Sequence, residues 1–384
     1  MNVFEKIREY RNNSKSIREL NKKKSVLKAH QEMIEILAYR IGSMEQNATK
    51  PDSAYLLIKE EILDIHNTLS ILARDIRANY LQSFNTVEEY KLKHFNEGQL
   101  LDNILKVKTS LEEETINLFC CVNDKLVNPM INLMYSIRQY NSDRINLYVL
   151  STSLSEETQE RIHKMGDKIN IKTNIKLCEL PDLYIGEAYW SLDMYLRVLA
   201  FEYLPKELDK ILYLDADVQA FDDIAPIYEM DISNHVLSAR KEPWRESFDK
   251  MMNSIKDNNF DHEYFSSGLM LFNLKKMREL WSKEKVFETI KSLKLYFPDQ
   301  DTLNKLCSKD EILDMPDRYN FYDLWLMVKY QDILKKAPII LHYVSGGKPW
   351  NAENPNYEQS FFFKSAKLSG IQEYIDKGKK FGFI

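Results

Sequence analysis

The chain has 384 residues, 44% of them hydrophobic and 12% aromatic, which is enough apolar material to build a core in more than one domain. A formal net charge of −5 gives no global signature of a nucleic-acid binder, and ten glycines with eleven prolines exclude a low-complexity or linker-dominated chain. The four cysteines form no Cys-x-x-Cys pair and no Cys/His ligand spacing, which argues against a zinc scaffold or a disulfide framework and fits a reducing compartment.

The opening stretch "MNVFEKIREYRNNSKSIREL" lacks the continuous apolar core of a signal peptide. No segment reaches the roughly 20 apolar residues needed to cross a bilayer. The expectation is a cytoplasmic protein, with peripheral contact on the inner face of the cell membrane left open. Nine Lys/Arg against three Glu in the first thirty residues fit either a basic helix on an anionic membrane or a solvated helix face. Residues 1–112 read as a helical N-terminal region, a bundle or hairpin. "HQEMIEILAYRIGSM" and "DSAYLLIKEEILDIHNTLSILARDIRANYLQSF" repeat apolar residues every three or four positions, with a Pro51 break and an Asp52 or Ser53 cap between them. A homodimer through these helices is left open.

From residue 113 the pattern becomes short apolar strands alternating with helices. "TINLFCCV" reads as a strand, "VNPMINLMYSIRQY" as a helix and "INLYVL" as a strand. "SEETQERIHKMG" reads as a helix capped by Ser155 and stopped by Gly166. "NIKTNIKLCEL" is a strand, "SLDMYLRVLAFEYLP" a helix and "KILYLDADV" a strand. This alternation predicts an α/β domain over 113–355, a doubly wound, mostly parallel sheet with flanking helices, followed by a C-terminal extension at 356–384. Ligands of such sheets bind beyond the carboxyl ends of strands, and the absence of a Gly-x-Gly-x-x-Gly or Walker loop removes the dinucleotide and P-loop versions.

Asp215 and Asp217 close the "KILYLDADV" strand. In an extended segment, residues i and i+2 point to one side. Two carboxylates that close would repel unless a cation lay between them, and a hard divalent ion with oxygen ligands is the natural partner. Asp222 and Asp223 read as caps of the next helix. "YFSSGLMLFNLKKMREL" sets a small-residue turn, Ser266-Ser267-Gly268, before an apolar strand. "FPDQDTLNKL" puts Asp299, Gln300 and Asp301 at a helix start, as caps or as a hydroxyl clamp. "IILHYVSGGKPW" carries His342 at a strand exit, where a metal ligand or a structural histidine can stand, and Lys348, suited to a phosphate.

The ordered set "LYLDADV", "YFSSGLMLFNL", "PDQDTLNKL", "RYNF" and "LHYVSGGKPW" resembles glycosyltransferase family 8, over roughly residues 115 to 355. The resemblance implies a GT-A type fold and a metal-dependent, retaining transfer of galactose or glucose from a UDP-sugar to an acceptor hydroxyl. The acceptor would be a bacterial surface glycan, another glycan, a glycolipid or a protein. It implies Mn2+ (or Mg2+) held by Asp215, Asp217 and His342 of the DXD and final motifs. Cys121 and Asn123 would hold the uracil and ribose, Ala216 would also contact the donor, and Arg197 and Lys348 would contact the diphosphate end of the donor. Ser266, Ser267, Asp299 and Gln300 would hold the sugar, with Gln300, Asp299 and Arg197 at the reacting carbon. Leu126 stands where the family often has an aromatic residue and Ser266 where it often has Asn. The alternative reading is a non-catalytic UDP-sugar-binding scaffold on the same fold.

Overall fold

The structure, a computed structural model, describes residues 100, 103–104, 115–183, 191–242, 249–322, 338–344, 348–353 and 359–384. The chain divides into two units, 1–94 and 95–384, and all described residues lie in the second. The expected N-terminal helices therefore fall outside the described residues, apart from a helical fragment at its end. There Asn103 Nδ2 donates to the carbonyls of Arg138 (3.2 Å) and Gln139 (2.9 Å). Among the described residues no helix is long and apolar enough to cross a membrane.

Strand β1 (Thr115–Cys121) is buried along most of its length, as a central strand covered on both faces must be. Helix α1 (Val127–Tyr140) returns the chain to β2 (Arg144–Ser151), which pairs parallel to β1. Ser155 caps α2 (Glu156–Ile169) as expected, but the helix runs through Gly166 and ends on Asn170 in the left-handed region. A Cβ at 166 would lie 2.5 Å from the carbonyl of Ile171 and 2.6 Å from Thr173 Cγ2, so this glycine serves helix–strand packing, not helix termination. The strand it packs on is β3 (Lys172–Leu177).

The segment read as one helix over "SLDMYLRVLAFEYLP" is a 3-10 stretch, Leu192–Arg197, followed by one α turn, α3 (Ala200–Tyr203). Residues 193–201 are all buried, and Asp193 accepts from Thr152 N at 2.6 Å. Tertiary contacts on every side, with no solvent face, override helical propensity here.

The chain continues through β4 (Lys210–Leu214), β5 (Val218–Ala220), α4 (Ala225–Tyr228), β6 (Leu237–Lys241), α5 (Asp249–Asn258) and β7 (Phe265–Asn273). Then come α6 (Leu274–Leu280), α7 (Lys283–Ser292), α8 (Pro298–Leu306), β8 (Ile312–Asp314), β9 (Phe321–Tyr322) and β10 (Ile340–His342). The chain closes with α9 (Ser360–Ser369) and α10 (Gln372–Lys380). The main sheet has the order β3-β2-β1-β4-β7-β6-β8, and a small sheet has the order β5-β10-β9. The main sheet is mostly parallel, with β7 antiparallel to both β4 and β6. Side chains alternate across β1: Leu118 and Cys120 join one core cluster, Phe119 and Cys121 the other.

The C-terminal segment packs into the fold. Phe361 sets its ring edge-on to Phe221 (5.3 Å between centroids), and Gln219 and Asn132 donate to the carbonyls of Phe361 and Phe362, each at 3.2 Å. Gln219 in turn accepts from the Tyr343 hydroxyl at 2.6 Å, so α9 braces the β5–β10 pair.

Candidate active site

Asp215 and Asp217 stand where the chain changes sheets. β4 belongs to the main sheet and β5 to the small one, and Asp215-Ala216-Asp217 is the turn between them. The segment is thus a turn and not the extended run its alternation suggested, because one strand cannot serve two sheets without bending. Two registers then assemble the site. Leu214 pairs with Leu269 and Asp215 N donates to the carbonyl of Gly268 (2.9 Å), which brings Ser266, Ser267 and Gly268 alongside. Expected as a turn before the strand, these residues lie within β7 itself, because the chain is already paired in the sheet from Phe265. Val218 pairs with His342, and Tyr343 N donates to the carbonyl of Asp217 (3.0 Å).

One potential ligand atom from each of Asp215, Asp217 and His342 lies within 4.8 Å of the others. His342 is buried, with Nε2 3.2 Å from Asp217 Oδ1 and Nδ1 3.1 Å from Asn320 Oδ1. Its ring meets that of Tyr322 edge-on at 5.3 Å. A Cβ on Gly268 would fall 2.1 Å from His342 Cε1, so only glycine lets the ring sit there.

Cations ring the two acids. Arg197 Nη2 lies 2.8 Å from Asp215 Oδ1, and its Nη1 lies 3.1 Å from Asp299 Oδ2 and donates to the Ser267 carbonyl at 3.2 Å. The guanidinium rests on the Tyr213 ring, 4.5 Å from its centroid, and the Tyr213 hydroxyl donates to Asp215. Lys348 Nζ lies 2.6 Å from Asp217 Oδ2 and donates to the Tyr343 carbonyl at 2.7 Å. Burial pushes Asp215 above the ordinary carboxylate range against the pull of Arg197, and the charge on Asp217 adds to the push. Burial acts on Asp217 in the same direction, yet Lys348 and then His342 outweigh it and hold that carboxyl well below its usual range. Two like charges side by side have been driven apart in affinity for protons.

These residues fit a divalent ion by a structural criterion. Among the described residues no donor meets the buried Asp217 Oδ1 with hydrogen-bond geometry, although a ring nitrogen faces it at contact distance. Two carboxylates and one imidazole are ligands suited to Mn2+ or Mg2+, and a thiolate, which would favour softer metals, is absent from the described cluster.

Every sequence-predicted residue can be placed. Ser267 N donates to Gln300 Oε1 (2.9 Å), and Ser267 Oγ donates to Asp299 Oδ2 (3.0 Å), which joins β7 to the start of α8. Asp301 turns away from this cluster. It caps α8 by accepting from Tyr296 N (2.6 Å) and Phe297 N (2.8 Å), and it takes the Ser254 hydroxyl at 2.6 Å. Ser266 is buried, with Oγ accepting from Asn320 Nδ2 at 3.3 Å. Ala216 joins the core cluster that holds Leu214 and Val218. Cys121 is a buried thiol at the end of β1, pushed up by burial and within reach of the Arg197 charge. Asn123 caps the following turn by accepting from Lys125 N at 3.1 Å. Of the two acids read as caps of α4, Asp223 accepts from Ala225 N, the first residue of the helix, at 2.9 Å, whereas Asp222 accepts from Asp223 N at 2.9 Å, ahead of the helix. Tyr213 and Asn320 were missed. Asn320 stood in the quoted "RYNF" stretch, but nothing local marked its partner.

A family profile described as glycosyl transferase family 8 matches residues 117–354. Lipopolysaccharide 1,2-glucosyltransferase of Escherichia coli (strain K12) is 29% identical over 230 residues, 55% of this chain and 66% of that protein. A second lipopolysaccharide 1,2-glucosyltransferase of Escherichia coli is 23% identical over 291 residues, 71% of this chain and 84% of that protein. The chain thus spans about two thirds of the length of the first of these relatives. Among solved structures, the galactosyltransferase LgtC in complex with donor and acceptor sugar analogs superposes with a TM-score of 0.54 at 22% identity, covering 66% of this chain and 95% of that one. At that identity the likeness is one of fold, and it is the GT-A type architecture expected.

Proposed function

The chain belongs to glycosyl transferase family 8, and from that premise we propose that it transfers galactose or glucose from a UDP-sugar to an acceptor hydroxyl, with retention at the anomeric carbon. The observation that carries the proposal is the meeting of Asp215, Asp217 and His342 in one cluster ringed by Arg197, Lys348 and the Ser267–Asp299–Gln300 network. The names of the curated relatives support a lipopolysaccharide-type glycan as the acceptor.

Bound by Asp215, Asp217 and His342, Mn2+ or Mg2+ would supply Lewis-acid stabilisation of the diphosphate leaving group. The protein's own residues have separate tasks. Lys348 sits at the mouth of the cluster, where its ammonium can neutralise charge gathering on the departing phosphate. Arg197 bridges Asp215 and Asp299, so it fixes the spacing between the diphosphate end and the sugar end of the site. Gln300 has its amide oxygen engaged by Ser267 N, and Asp299 has one carboxylate oxygen shared by Arg197 and Ser267. An amide is a poor nucleophile, and a carboxylate tied to a guanidinium is a weak one. This supports front-face attack, in which the leaving phosphate oxygen accepts the proton of the acceptor hydroxyl and Gln300 stabilises the electron-poor carbon.

The test is release of UDP from UDP-glucose and UDP-galactose with Mn2+ or Mg2+ present. EDTA should stop release and added metal should restore it. Asp217→Asn should lower turnover by about a hundredfold or more while its melting curve stays cooperative. Undiminished release in EDTA overturns the metal role. Binding of UDP with no turnover of either donor, and none with added glycan, supports the scaffold reading.

A further inference from the structure

His342 carries two ring nitrogens that cannot both be ligands in the neutral ring: one bears the proton and the other offers the lone pair. Nε2 faces Asp217, while Nδ1 faces Asn320 Oδ1 at 3.1 Å. An amide oxygen only accepts, so this contact is a hydrogen bond only when Nδ1 holds a proton, which leaves Nε2, on the side of the two acids, as the nitrogen whose lone pair an ion can take.

The amide of Asn320 is itself held. Its Nδ2 donates to Ser266 Oγ at 3.3 Å, and that oxygen also accepts from Gly268 N at 3.4 Å. The Asn320 backbone carbonyl accepts from Arg240 Nη1 at 2.8 Å, and Arg240 is anchored by Asp317 at 2.9 Å. Arg240 lies over the Tyr322 ring that meets His342 edge-on. Asn320 is fully buried, at 0% exposure, so water does not compete for its amide. Such an outer partner fixes both the tautomer and the angle of a ligating imidazole.

We propose that Asn320, oriented by Ser266, is a positioning residue that keeps the His342 proton on Nδ1 and so makes Nε2 the metal-binding nitrogen. The role concerns the imidazole and is present in the metal-free protein. Only its consequence for Mn2+ rests on the reading of the site given above. It also assigns Ser266 to the support of Asn320 instead of to direct contact with the sugar.

The experiment uses the full chain labelled with 15N-histidine, the His342 signals being assigned by their loss in His342→Gln. Long-range 1H–15N correlation is recorded without metal, its shifts and couplings separating a ring protonated on Nδ1, on Nε2 or on both. Wild type should show the proton on Nδ1. Asn320→Ala should lose that preference and bind Mn2+, titrated by the EPR signal of the free ion, about 10- to 100-fold more weakly. Asn320→Asp, which still accepts from Nδ1–H, should restore the tautomer and bring affinity to within a few-fold of wild type. Ser266→Ala should weaken the preference without removing it, and serves if Asn320→Ala fails to fold. A wild-type ring with a proton on Nε2 and none on Nδ1, or unchanged Nδ1 protonation and affinity in Asn320→Ala, overturns the proposal. A wild type with the proton on Nδ1 but no affinity for Mn2+ supports the positioning role and overturns the metal reading instead.

Discussion

Gly268 shows how tightly one position can constrain a site. It lends its carbonyl to Asp215 and its missing side chain to His342, so a methyl group there must move the imidazole, the β7 backbone or both. Gly268→Ala should therefore weaken Mn2+ binding by about tenfold or more and cost about 1–3 kcal/mol in a denaturant titration. An EPR titration with wild-type affinity would show that the ring tolerates the shift. A second residue prediction concerns Cys178, which burial pushes up to about 11. Its thiolate fraction, and hence its alkylation rate in the folded protein, should climb about tenfold per pH unit well past pH 9, where an ordinary thiol has levelled off. A plateau near pH 9 would contradict the burial. At this scale the acid pair was legible from the strand that precedes it. Asn320 was not, because its partner comes from a strand that only the fold brings near.

Among elements, the long central strands announce themselves by apolar runs: β1 and β2 lie where the sequence puts them, whereas β4 stops at Leu214, before the acids, and β7 starts at Phe265, ahead of the stretch read as a turn. The three-residue strands β5 and β10 and the two-residue β9 are too short to carry a period, yet they place His342. The helix read across residues 191–205 is largely a 3-10 stretch because Arg197 and Asp193 answer to partners outside their own turn. Helix α9 makes a testable claim of its own. Phe363 is fully buried and stacks with Phe383 at 5.9 Å. Phe363→Ala should cost about 3–5 kcal/mol in a denaturant titration, while leaving Mn2+ affinity unchanged, since Phe363 touches no ligand. A loss below about 1 kcal/mol would mean that the packing of Phe363 contributes little to the stability of the fold.

On the scale of the whole catalytic unit, strand–helix alternation sufficed to predict a parallel α/β sheet, and the family-8 motifs fixed its type. What alternation could not give is the reversal of β7, whose antiparallel pairing with β4 carries its own Ser266-Ser267-Gly268 stretch to the acids. β10 enters the chain long after the acids it serves, yet it supplies the third member of their cluster. A polypeptide still leaving the ribosome thus exposes Asp215 and Asp217 with no imidazole opposite them. The three-membered cluster therefore forms only once the chain has been made past β10, and a chain cut short before residue 342 lacks one of its three potential ligands.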